Sequence, residues 1–146
     1  MELQTILSTD SAVIQVNLAS SYIELEWLTH PSSQVFREVI IQAQTYAQEH
    51  HLTKWLCNIQ QADFIESEDQ KWLVKHVFTA FDPVLHHNYA YIIQPRVSEV
   101  VSAYHIHDLV ELDANLQSRI KVAIFVDIDH ALQWLFAPIS QNEPFS

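Results

Sequence analysis

Between Ala12 and Leu18 the apolar residues Ile14, Val16 and Leu18 fall on every second position, and between Tyr22 and Leu28 the residues Ile23, Leu25 and Trp27 alternate with Glu24 and Glu26. A period of two sends alternate side chains to opposite faces, so both stretches read as half-buried strands. Ala19, Ser20 and Ser21 join them, which predicts an antiparallel hairpin with one wet face. After Pro31 the period changes. From Ser32 to Gln48 serine caps are followed by Phe36, Val39 or Ile40, Ala43 and Ala47, the spacing of one helical face.

Three short runs are apolar on both faces: Trp55, Leu56, Cys57 and Ile59; Tyr89 to Ile93; and Ile120 to Val126, interrupted only by Lys121. Separated by helical stretches, such runs are what parallel strands covered by helices look like. Between the first two, a helix is predicted from Glu68 to about Phe81. Ser67 and Gln70 supply a capping box, Glu68 and Asp69 suit the positive end of the dipole, and Pro83 stops the helix. A last helix follows Asp127 or Asp129, with Ile128, Leu132 and Leu135 on one face, and ends before Pro138. Val97 to Ser118 fits no single helical face, and only its second half, about His107 to Gln117, is predicted to be helical. The order is ββαβαβαβα in one domain spanning 1–146: a five-stranded mixed sheet with flanking helices and a loose tail over about 137–146.

At 146 residues, 49% hydrophobic and 17% charged, the chain has the make-up of one folded domain. It contains no glycine. Phosphate loops, dinucleotide-binding turns and nucleophile elbows in their standard forms need glycine for positive φ or close backbone approach, so all three are excluded. Left-handed turn positions must then fall to Asn, Asp or His, with Asn88 and Asn115 well placed. Seven basic residues against eighteen acidic ones give a net charge of −11, which repels nucleic acid and anionic membranes. One cysteine, Cys57, cannot form an internal disulfide, and the first sixteen residues lack a leader's basic and apolar regions. No apolar run reaches the ~18 residues of a membrane span. These features together read as a cytoplasmic protein.

Lys54-Trp55-Leu56-Cys57-Asn58, Glu68-Asp69-Gln70-Lys71-Trp72-Leu73 and the closing Val126-Asp127-Ile128-Asp129-His130-Ala131-Leu132-Gln133-Trp134-Leu135, set in this order of elements, resemble the SpoIIAA-like (STAS-like) family, particularly its small bacterial members. The resemblance covers nearly the whole chain. It implies a mixed sheet with flanking helices and regulation by protein contact without catalysis; lipid-carrying relatives of the fold suggest a small acidic or apolar ligand as the alternative. In the anti-sigma-factor antagonist branch a serine at the start of the second helix is phosphorylated, and Ser67 stands nearest to that place. Here the Asp-Ser-x-Gly type motif is missing and Ser67 lies between Glu66 and Glu68, so a phosphate would meet like charge. Ser67 is therefore read as a helix cap, with a phosphosite as the lesser alternative.

In open α/β sheets ligands bind beyond the carboxyl ends of the strands. The residues expected there are His30, Gln60, Gln61, Asp63, Gln94, Arg96 and Asp127, with Arg96 as the cation that would hold a carboxylate or phosphate, or else pair with Asp63 or Asp127. Histidines raise a metal reading. His105 and His107 would face together in a strand, and His107 and Glu111 would share a helical face, but neither placement supplies three ligands. His50-His51 and His86-His87 suit the negative ends of helices. Cys57 reads as a buried, inert thiol, and no catalytic set assembles from the sequence. The expectation is a protein or small-ligand partner, with a homodimer allowed, and no nucleic acid, metal or cofactor.

Overall fold

The computed structural model describes residues 1–137 and, of Val97 and Ser98, the backbone alone. Six strands form one mixed sheet in chain order: β1 Gln4–Ser8, β2 Ala12–Asn17, β3 Tyr22–Trp27, β4 Lys54–Asn58, β5 His87–Ile92 and β6 Ile120–Phe125. β1, β2 and β3 pair antiparallel, while β3 to β6 run parallel. The hairpin and the three parallel runs stand where the hydrophobic periods put them. β1 is the correction to the expected five strands. Its register against β2 slips between Thr5 and Leu7, so Ile6 and Leu7 are both half-buried and the period of two is broken.

Each parallel crossover carries helical structure. α1 is Ser33–Glu49, and its buried face is Phe36, Val39, Ile40, Ala43 and Ala47, the expected stripe. α2 is Ser67–Trp72, followed without a break by a π turn over Leu73–Val77 and a 3-10 turn over Phe78–Ala80. α3 is Val97–Glu111 and α4 Ala114–Arg119, replacing the single helix expected from His107 to Gln117. The break falls at Asp113, extended, whose side chain accepts from the amides of Asn115 and Leu116 and starts α4 afresh. α3 escaped the pattern because apolar residues surround it: Ala103, Ile106 and Val110 are buried, while Val101 and Tyr104 lie outward. α5 is Ile128–Phe136. The tail expected over 137–146 lies, from 138 onward, outside the described residues.

The strands divide their side chains between two cores. Ile23, Leu25 and Trp27, Trp55 and Cys57, and Tyr89 and Tyr91 pack with α1, the α2 run, α3 and α4. On the opposite face Tyr22, Leu56, Ala90 and Ile92 pack with Ala131 and Leu135 of α5, and Leu3, Phe125, Leu132 and Trp134 flank them. This explains the doubly apolar runs at β4 and β5, which are covered on both faces. Positive φ occurs at Ser21 and His51 rather than at Asn88 and Asn115, which lie in β5 and α4. Ser21 closes the turn before β3, and its carbonyl accepts from the amides of Thr53 and Lys54 at 3.0 Å, so neighbouring backbone holds the unfavourable conformation. Among the described residues no helix is long and apolar enough to cross a membrane.

Candidate functional site

Of the residues expected beyond the carboxyl ends of the strands, Gln60, Asp63 and Arg96 come together. Arg96 donates from Nη2 to the carbonyl of Gln60 at 3.1 Å and lies 3.9 Å from Asp63. Gln60 reaches across to the carbonyl of Val126, next to Asp127, at 3.3 Å. His30 packs on Phe64 with ring centroids 4.8 Å apart. The expected pairing with Asp63 is present, but a stronger partner was missed: Arg96 Nε donates to Glu99 Oε2 at 3.0 Å, and the Glu99 side chain is fully buried. Asp127 does not join this group. It caps α5, accepting from the backbone amide and ring of His130, and these bonds hold its carboxyl below the usual range while the Asp127 side chain raises His130. With two carboxylates and a carbonyl already on Arg96, the crevice offers an anion little unspent positive charge.

Ser67 is not the cap of α2. The cap position is Glu66, which makes no side-chain capping bond, and Gln70 is buried with its amide on the carbonyl of Ile65 and its oxygen against His105 Nδ1. The expected capping box is thus absent, because Gln70 is drawn inward to α3. Ser67 instead lines a recess of about 430 Å³ with His30, Pro31, Ser32, Ser33, Glu66 and Glu68. Beside it, buried Asp69 accepts from Ser33 Oγ at 2.7 Å and pairs with Arg37 Nε at 2.9 Å, while Arg37 lies over the Trp72 ring at 5.2 Å. That cluster ties α1 to α2.

The histidines divide. His107 lies 3.9 Å from Glu111 on the helical face they were expected to share, whereas His105 points toward α2. Among the described residues no three His, Cys, Asp or Glu side chains are placed to hold a metal. Cys57 is buried, and burial pushes its thiol up to about 12.

A second site lies at the other end of the sheet. A pocket of about 210 Å³ opens between the last turns of α1, the segment leaving the α2 run, and the amino ends of β4 and β5; Ala47, Leu52, Trp55, Phe81, Leu85 and His87 supply most of its wall. Trp55 stacks on Phe81 at 5.4 Å and 16°, and Phe81 meets the His87 ring at 4.8 Å. The wall is tied in place. Arg119, itself buried, donates to the carbonyls of Phe81 at 2.7 Å and Thr79 at 3.2 Å, while Gln48 donates to that of Ala80 at 2.6 Å. Buried polar groups in native proteins nearly always have partners. Here Trp55 Nε1 and His87 Nδ1, in side chains only 2% and 4% exposed, have none among the described residues.

Sequence reasoning missed this pocket for two reasons. The carboxyl-end rule directed attention to the opposite edge, and Trp55 and His87 read as a core residue and a helix-end cation. His87 in fact opens β5, and burial lowers its pKa from the ordinary value, which keeps the ring neutral at pH 7. The fold and site together define an α/β domain with a six-stranded mixed sheet and an aromatic pocket beneath the amino ends of two parallel strands. Compared with family models, curated proteins and solved structures, the chain matches none.

Proposed function

We propose that the chain is a non-catalytic regulatory module of the SpoIIAA-like kind that works by binding, and that its binding site is the pocket under β4 and β5. The observation that carries this reading is the pocket itself, whose aromatic side of Trp55, Phe81 and His87 is held in place by the hydrogen bonds of Arg119 and Gln48 to the carbonyls of residues 79 to 81. A small ligand is favoured over the acidic ligand once expected at Arg96, whose charge is met within the protein. The size of the pocket sets the scale, since a cavity of about 150 Å³ accepts benzene. Toluene titrated into labelled protein should shift the Trp55 indole resonance saturably, and Ala47→Leu, which fills the pocket, should abolish the shift while the protein stays folded. Absence of any saturable shift in the unaltered protein would overturn the reading.

Protein contact is the second reading, favoured by the outward side of α3, where Val101 is 61% and Tyr104 51% exposed. If that side joins two copies, sedimentation should find a dimer that Tyr104→Glu dissociates; a monomer at all concentrations refutes it.

A further inference from the structure

Resting on that pocket reading, we infer that residues 79–86 form a strap that opens to admit the pocket's ligand and closes over it, with Arg119 as the latch. The pocket needs a wall that moves. Ala47, Leu52, Trp55, Phe81 and His87, which line it, are each only 2 to 4% exposed, so water scarcely reaches the apolar side and a molecule the size of toluene enters only when part of the lining gives way.

Three of the walls are fixed by backbone bonding. α1 runs for 17 residues with its apolar stripe buried, and its end is closed by the amide of His50 on the Tyr46 carbonyl and that of Leu52 on the Ala47 carbonyl. β4 is paired with β3 on one side and β5 on the other, and β5 with β4 and β6. The fourth wall, which supplies Ala80, Phe81, Asp82 and Leu85, is built differently. Its amides make two single turns, Phe81 to the Phe78 carbonyl and Leu85 to the Asp82 carbonyl, both at 3.2 Å. Side chains from three other elements hold it. Arg119 of α4 donates to the carbonyls of Thr79 and Phe81, Gln48 of α1 donates to that of Ala80, and His87 Nε2 of β5 lies 3.2 Å from that of Asp82, which can only accept. Four consecutive carbonyls thus rest on side-chain donors. Releasing them breaks no strand pairing, which puts this wall at the low end of local stability. Phe81, stacked on Trp55, is the apolar contact that closes the strap, while Val84 on its outer side is exposed. Arg119 is the latch because one guanidinium spans two of the four carbonyls without lining the pocket, so altering it changes the hold on the strap and not the contact with the ligand.

Hydrogen exchange of the unaltered protein with and without toluene tests this. The Phe81 and Leu85 amides should exchange about a hundredfold faster than those of the β4 ladder. Toluene at ten times its Kd should slow them about tenfold while leaving the amides of His50 and Leu52, at the end of α1, as they are. Arg119→Lys keeps the charge but loses the fork that spans both carbonyls, and it should speed the entry of toluene about fivefold or more, read from exchange broadening of the Trp55 indole signal, because entry scales with the fraction of open strap. Slowing of the α1 amides rather than those of the strap, or of neither while toluene binds, would overturn the strap and leave the pocket reading standing. An entry rate unchanged in Arg119→Lys would overturn the latch. No saturable effect of toluene on any signal would overturn the pocket reading and this inference with it. Should Arg119→Lys fail to fold, the amides of the unaltered protein still decide between the strap and α1.

Discussion

Replacing Arg96 by alanine tests the carboxyl-end cluster directly. In the sequence, Arg96 has the look of an exposed residue whose ion pairs are worth only about 0 to 1 kcal/mol. The structure changes that expectation because one partner, Glu99, is fully buried, with one carboxylate oxygen on Arg96 Nε and the other unpartnered among the described residues. Breaking a fully buried pair costs roughly 3 to 5 kcal/mol, most of it for the charge left behind. Arg96 itself is 48% exposed, and water screens part of the attraction, so about 2 kcal/mol is the reasoned cost here. At about 2 to 4 °C per kcal/mol for a chain of this size, Arg96→Ala should melt roughly 4 to 8 °C lower. Urea denaturation followed by tryptophan fluorescence gives the free energy. Glu99→Gln, which removes the charge and keeps the shape, should lose far less, and adding it to Arg96→Ala should restore most of the loss. A cost below about 0.5 kcal/mol for Arg96→Ala, or strictly additive effects in the double variant, would refute the claim that Glu99 depends on Arg96.

Asp69→Ala should destabilise by roughly 3 kcal/mol, because it strips Arg37 and Ser33 of a buried acceptor between α1 and α2; calorimetry checks it. Ser67→Ala should change stability by less than about 0.5 kcal/mol, since Ser67 is not the cap of α2, and denaturant titration would expose a larger effect. Cys57 should resist alkylation in the folded protein and react only at the rate of unfolding, as mass spectrometry of timed samples will show. For His87, whose folded pKa is lowered, the unfolded chain takes up the proton first. Its contribution is therefore present above the ordinary histidine value and lost as pH falls below it. Stability measured from pH 7 to pH 5 should fall more steeply in the unaltered protein than in His87→Phe.

The alternation in β2 and β3, the doubly apolar runs of β4, β5 and β6, and the helical stripe of α1 were legible because burial on one or both faces is written directly into spacing. The same logic gave the antiparallel hairpin, the parallel strands and the contacts of Arg96 with Gln60 and Asp63. β1 was hidden by its bulge, and α3 by apolar residues on its outward side. Only the tertiary structure could reassign the polar residues, because most of their partners are distant in the chain. Gln70 abandons a local capping role for Ile65 and His105, Asp69 is claimed by Ser33 and Arg37, and Arg119 crosses to the carbonyls of Thr79 and Phe81. The pocket is the furthest from the sequence. Its walls come from α1, the segment after the α2 run, β4 and β5, which become neighbours only through strand pairing and packing.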